Sequence, residues 1–211
     1  MSSKINRRQA PCHAANGNVT ILYRMIYDQP NTHRDNKPLW IMQYNIAKRR
    51  EVMDSILNDK ETQEYSLLLL QEHCHAYKQK TPLFHQSWTA IESTLITEMP
   101  SRAAIYANNK KIPPAAFNQI PIPHRDVTAM AIAAHSPFLK PTLIINLYNS
   151  GSHALIEQLH TILLCDIKME DYDVILLVGD FNLHHSLWNP VGYTNQSRTP
   201  GGNASGGHDG G

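Results

Sequence analysis

Read for the spacing of apolar and polar side chains, the chain divides into a polar start, a long patterned middle and a glycine-rich end. Residues 1–37 mix Asn, Arg, His, Pro and Gln around one short apolar piece, Val19-Thr20-Ile21-Leu22-Tyr23, and hold no sustained period, so they read as a poorly ordered lead-in. At Leu39 the texture changes. Leu39-Trp40-Ile41-Met42-Gln43-Tyr44-Asn45 is a short apolar run ending in polar residues and predicts a strand. Within 48–58 the recurrence of Val52, Met53, Ile56 and Leu57 at helical spacing predicts a helix directly after it. Residues 66–72, leucines bracketed by polar clusters, are too short for a typical helix and predict a strand covered on both faces.

Further strands are expected at 102–107, 126–133, 143–148 and 174–179. Between the last two, Leu155, Ile156, Leu159, Ile162, Leu163 and Ile167 mark an amphipathic helix. Strand-rich middle sections flanked by strand–helix units imply an α/β sandwich in which helices cover packed sheets. A single domain over 38–190 fits a chain of 211 residues. The remainder, 191–211, offers almost no apolar side chains and is expected to be a flexible, glycine-rich tail.

Charge and cysteines narrow the partners. A net charge of +1 supplies no whole-chain field toward nucleic acid or an anionic membrane, so either contact needs a local patch. The visible patch is Lys48, Arg49 and Arg50, which reads equally well as a solvated helix face. Cys12, Cys74 and Cys165 are odd in number and scattered, without a C-x-x-C pair, which argues against a disulfide framework or a cysteine zinc site and for a reducing compartment. No apolar stretch approaches the ~18–20 residues of a membrane span, and the start lacks an apolar signal core. A soluble, intracellular protein is the expectation, nuclear or cytoplasmic and not secreted.

Several apolar runs end in a polar or acidic group: Gln43-Tyr44-Asn45, Gln71-Glu72, Asn146-Leu147-Tyr148-Asn149 and Gly179-Asp180-Phe181-Asn182. Strand ends are where distant segments of an α/β fold converge, so this distribution is what a site on a rigid scaffold would give. If the last segment is extended, Asp180 and Asn182 project to the same side and could hold a water and a phosphate oxygen together, with Phe181 turned to the core. The alternative is an Asp/Asn turn closing a buried strand. His73-Cys74-His75 has the look of a metal cluster, yet alternation along a strand sets Cys74 opposite the two histidines, and no second pair stands at zinc-like spacing. Trp88 and Trp188 read as core or loop anchors.

These four blocks occur in the order of the endonuclease/exonuclease/phosphatase superfamily, and the extension Leu183-His184-His185-Ser186-Leu187-Trp188 resembles the endonuclease domain of LINE-type (non-LTR) retrotransposons. The resemblance covers about residues 39–190. It implies a four-layered α/β/β/α sandwich, incomplete at its carboxyl end, and hydrolysis of a phosphodiester, with DNA as substrate and Mg²⁺ as cofactor, Mn²⁺ being the second choice. By the same resemblance Glu72 is the main metal ligand and Asn45 helps to arrange the metal and its waters. Asp180 orients or deprotonates the attacking water, while Asn182 and Tyr148 bind the scissile phosphate. Lys48, Arg49, His184 and His185 are the expected substrate contacts. Oxygen ligands with only one or two carboxylates suit Mg²⁺.

The family closes with a strand and a Ser-Asp-His block, and none follows Asn182; His208-Asp209 is reversed, set in glycines and preceded by no apolar strand. A truncated or frameshifted element copy with weak or lost activity is therefore expected. An inactive remnant that binds nucleic acid and a small-molecule phosphatase or phosphodiesterase of the same superfamily are the alternatives.

Overall fold

The computed structural model describes residues 21–25, 39–76, 81–93, 99–133, 141–151 and 153–182. His184, His185, Trp188 and the stretch 191–211 lie outside the described residues. The first half of the chain forms strands β1 (Ile21–Met25), β2 (Leu39–Asn45), β3 (Leu67–Gln71), β4 (Trp88–Glu92) and β5 (Ala103–Asn108), with helix α1 (Arg50–Asn58) between β2 and β3. The second half forms β6 (Phe117–Ile120), β7 (Val127–Ile132), β8 (Thr142–Tyr148) and β9 (Val174–Asp180), with helix α2 (His153–Thr161) between β8 and β9. Each half makes its own sheet, ordered β1-β2-β3-β5-β4 and β6-β7-β8-β9. In each, one parallel pair, β2 with β3 and β8 with β9, is joined through the intervening helix, as a parallel connection requires.

Three apolar clusters define the layers. Ile41, Leu67, Leu69 and Ile105 of the first sheet meet Met130, Ile144 and Val178 of the second, which is the contact between sheets. On the outer face of the first sheet, Met42, Leu68, Leu70 and Tyr106 pack against Met53 and Leu57 of α1. On the outer face of the second, Leu143, Ile145 and Leu147 pack against Leu155 and Leu159 of α2. The order helix, sheet, sheet, helix is an α/β/β/α sandwich, and strand alternation divides each run of apolar residues between two cores.

Several elements differ from the sequence reading. β1 lies inside the stretch read as lead-in; it gains a partner in β2, antiparallel from Ile21 opposite Gln43 to Met25 opposite Leu39, which a periodicity reading cannot see. β4 and β6 were not predicted, because Trp88-Thr89-Ala90-Ile91-Glu92 and Phe117-Asn118-Gln119-Ile120 are edge strands only partly covered and their polar residues mask the pattern. The first helix starts at Arg50 rather than Lys48, since Ala47 and Lys48 take positive φ (53° and 56°) and turn the chain before it. The single helix expected to run as far as Ile167 instead changes after Thr161 to a wider π-type turn, in which the Ile167 N–H reaches the Ile162 carbonyl and both side chains stay buried under the second sheet.

The inward faces of the four parallel-paired strands share a gradient. Ile41, Gln43 and Asn45 on β2, Leu67, Leu69 and Gln71 on β3, Ile144, Asn146 and Tyr148 on β8, and Leu176, Val178 and Asp180 on β9 each run from apolar to polar toward the strand's carboxyl end. Where the gradient turns, buried amides knit the sheets together. Gln43 donates to Gln71 (3.0 Å), Gln71 donates to Asn146, and the Asn146 amide donates to the carbonyls of Leu70 (3.0 Å) and Ala104 (2.8 Å). Asn146→Leu would fill the space but take one hydrogen bond from each of those carbonyls and one from the Gln71 amide, each worth about 1 kcal/mol net. A fall of about 2–4 kcal/mol in unfolding free energy is expected, read as a lower urea midpoint at unchanged slope; an unmoved midpoint would mean that the amide network adds nothing.

Candidate functional site

Beyond the amide network the two sheets open at the carboxyl ends of β2, β3, β8 and β9. Asn45 and Asp180, 135 positions apart in sequence, meet there: the Asn45 amide donates to Asp180 Oδ2 at 2.8 Å. Asn45 Oδ1 in turn accepts the Ala47 N–H at 2.8 Å, which fixes the amide's orientation and aims its NH₂ at the carboxylate. Glu72 follows β3 with φ +47°, its N–H bonded to the Arg102 carbonyl (2.7 Å) and its carbonyl accepting the Lys48 N–H (2.9 Å). The loop that carries Lys48 is thereby tied to the residue that carries the glutamate. Tyr148 ends β8 and donates its phenolic O–H to Glu72; burial, reinforced by the Glu72 charge, pushes its pKa up to about 12, so it remains a neutral donor over the physiological range.

Gly179 sets the register that brings Tyr148 beside Asp180. It pairs with Leu147 across the parallel strands, and a Cβ at this position would lie 2.1 Å from the Leu147 carbonyl oxygen. Only glycine lets the two backbones approach this closely.

Asp180 and Asn182 do not continue as one extended segment. β9 ends at Asp180, Asn182 adopts φ +43°, and its N–H folds back to Asp180 Oδ1 at 3.2 Å, so the turn reading applies rather than the same-side reading. The turn still faces the site end: the Asn182 amide donates to the Asn149 carbonyl (2.6 Å), and Asn149 donates to the Phe181 carbonyl (2.7 Å). Phe181 packs against the core beneath α2. With both oxygens taking one hydrogen bond each, the Asp180 carboxylate is held in a single orientation and keeps lone pairs to spare.

Three residues at this end were not selected from the sequence. Arg102, just before β5, makes a two-pronged ion pair with Asp126, just before β7, and its guanidinium lies 4.8 Å from the Tyr148 ring centre. The hydrogen bonds to Asp126 and its charge raise the Arg102 pKa further against partial burial. His124 accepts the Asp126 N–H through Nδ1 (3.1 Å), which leaves its proton on Nε2, and burial lowers its pKa. β5 and β7 run antiparallel to β3 and β8, so their beginnings, not their ends, arrive at the site. A search confined to the ends of apolar runs passes over them.

Of the basic run, Arg50 is paired with Asp54 on α1 at 2.9 Å, while Lys48 and Arg49 are exposed in the loop before the helix. The groups assembled are thus carboxylates, amides, a phenol and a guanidinium, a set rich in hard oxygen donors with one fixed cation beside them.

Among solved structures, the chain is similar to the endonuclease domain of TRAS1, a telomere-specific non-LTR retrotransposon. The identity is 14% and the TM-score 0.48, with 70% of this chain and 61% of that chain covered. No protein-family model matches the chain, and no curated protein does. Among the described residues no helix is long and apolar enough to cross a membrane.

Proposed function

We propose that the chain is a Mg²⁺-dependent phosphodiester hydrolase of weak activity that acts on DNA as an endonuclease domain. The observation that carries the reading is the meeting of Asn45, Glu72, Tyr148 and Asp180, delivered by four strands of two sheets, in a hydrogen-bonded cluster beside Arg102. The donor set suits Mg²⁺ or Mn²⁺, which prefer oxygen ligands and retain several waters. Glu72 is the residue that would hold the ion, and the ion would supply Lewis-acid and templating chemistry.

The chain's own groups have separate tasks. Asp180, held by Asn45, orients a water and accepts its proton. Asn45 acts as a positioning residue, because its amide is already committed to Asp180 on one side and to the turn on the other. Tyr148 donates a hydrogen bond where charge grows on a phosphate oxygen, and Arg102 supplies fixed positive charge without proton bookkeeping. Asn182, with one amide hydrogen used by Asn149, keeps the other for a phosphate oxygen. Lys48 and Arg49 contact the DNA backbone, a role that carries no base preference.

The reading is tested by incubating full-length protein with supercoiled plasmid. Nicked circles are expected with millimolar Mg²⁺ and none with EDTA. Mg²⁺ should also raise the melting temperature by relieving repulsion between carboxylates, and Glu72→Gln should remove most of that rise. Absence of both nicking and the thermal rise in the wild type would sink the proposal.

A further inference from the structure

A second cluster stands outside the group just described. His73, the residue after Glu72, has a fully buried side chain, and neither of its ring nitrogens has a hydrogen-bond partner. Its ring lies 4.3 Å from that of His75, centroid to centroid. Glu92, the last residue of β4, points Oε2 at both, 3.6 Å from His73 Nε2 and 3.1 Å from His75 Nε2. Cys74, between the histidines in sequence, turns to the opposite side and packs with the α1 cluster.

We propose that His73, His75 and Glu92 form a Zn²⁺ site. Two ligand bonds of about 2.0–2.1 Å at a tetrahedral angle set ligand atoms about 3.3 Å apart. The two measured separations bracket that edge, and all three donor atoms lie within 4.8 Å of one another. The hydrogen bond from His75 to Glu92 accounts for one ring and leaves His73 Nε2 in the interior with no hydrogen-bond partner, 3.6 Å from the Glu92 carboxylate, whereas a cation among the three would take that nitrogen together with one of His75 and a carboxylate oxygen.

Two imidazoles and one carboxylate favour zinc over magnesium, which avoids nitrogen ligands, and three protein ligands leave a fourth position for water. The sequence reading set zinc aside for want of a second pair at the right spacing. The missing ligand comes from β4, which lies beyond β5 in the same sheet. Bound there, the ion would clip the segment after β3 to the end of β4 and so hold the backbone that carries Glu72. The proposal does not depend on the chain being a hydrolase.

The test uses full-length protein stripped with EDTA and titrated with Zn²⁺, and with Co²⁺ as a coloured substitute. With millimolar Mg²⁺ present to occupy the Glu72 cleft, one Zn²⁺ per chain is expected, with a rise in melting temperature and Co²⁺ bands that lack sulfur-to-metal charge transfer. Glu92→Gln and His75→Ala should each weaken Zn²⁺ binding by about 100-fold, while Glu72→Gln should leave it unchanged. Failure of the wild type to bind one Zn²⁺, undiminished binding in both ligand variants, or a thiolate band overturns the site. Should those variants misfold, carbethoxylation of wild-type His75 mapped by mass spectrometry decides: protection by Zn²⁺ supports the site, and unchanged labelling overturns it.

Discussion

Asp180→Asn is expected to lower Mg²⁺-dependent nicking by about 10²–10⁴-fold while the protein stays folded. The substitution keeps the shape of the side chain and removes its capacity to take a proton. Asn45 can still donate to the remaining carbonyl oxygen, but the Asn182 N–H, which bonds Asp180 Oδ1, would then face an NH₂ group. Loss of that one hydrogen bond costs about 1 kcal/mol, a fall of about 2–4 °C for a chain of this size. A large kinetic effect with a small thermal one is therefore the expected signature, read by single-turnover nicking and a melting curve on the same preparation. A variant that nicks at the wild-type rate would remove Asp180 from the chemistry, however well placed it is.

Gly179→Ala should show the opposite balance, with stability failing first. The added methyl would meet the Leu147 carbonyl oxygen at 2.1 Å and its carbon at 2.8 Å, and both belong to backbone that is paired in a buried sheet. No side-chain rotation relieves such a contact. Either β9 separates from β8 at its last pairs or the sheet shears, and in both cases the Tyr148 and Asp180 pairing is lost. Overpacking commonly costs about 1–3 kcal/mol, and a clash with fixed backbone belongs at or above the top of that range. The melting temperature should fall by on the order of 10 °C. A melting curve within about 2 °C of the wild type would show that the strands can part here at little cost.

These two residues also mark what could be read from the sequence and what could not. The apolar runs of β2, β3, β8 and β9 reported both their strands and the polar group at each end, because a strand covered on both faces is apolar until it leaves the core. Asn45, Glu72, Tyr148 and Asp180 were accordingly legible as strand-end groups, and the structure brings them together. The alternation that puts Gln43, Gln71 and Asn146 inside was present in the same runs, yet sequence does not say that three amides from two sheets satisfy one another. Arg102, Asp126 and Glu92 went unselected for a different reason. Their importance comes from strand direction and sheet order, which bring a strand's beginning or a neighbouring edge to the place in question, and neither is written in local periodicity. Asn182 was singled out, but its geometry was not foreseen: a left-handed residue after a strand is a local choice that Asp, Asn and Gly all permit.

The division of the chain into two consecutive sheets has a consequence for assembly. Everything from β1 to β5 precedes everything from β6 to β9, so the two layers are two successive lengths of polypeptide rather than interwoven ones. Glu72 belongs to the earlier length and Asp180 to the later, and neither carries both carboxylates. Synthesis of the first length yields a sheet whose inner apolar face waits uncovered until the second emerges. The cleft is a seam, complete only when the later length has docked, and under the proposed function nicking activity would report that docking.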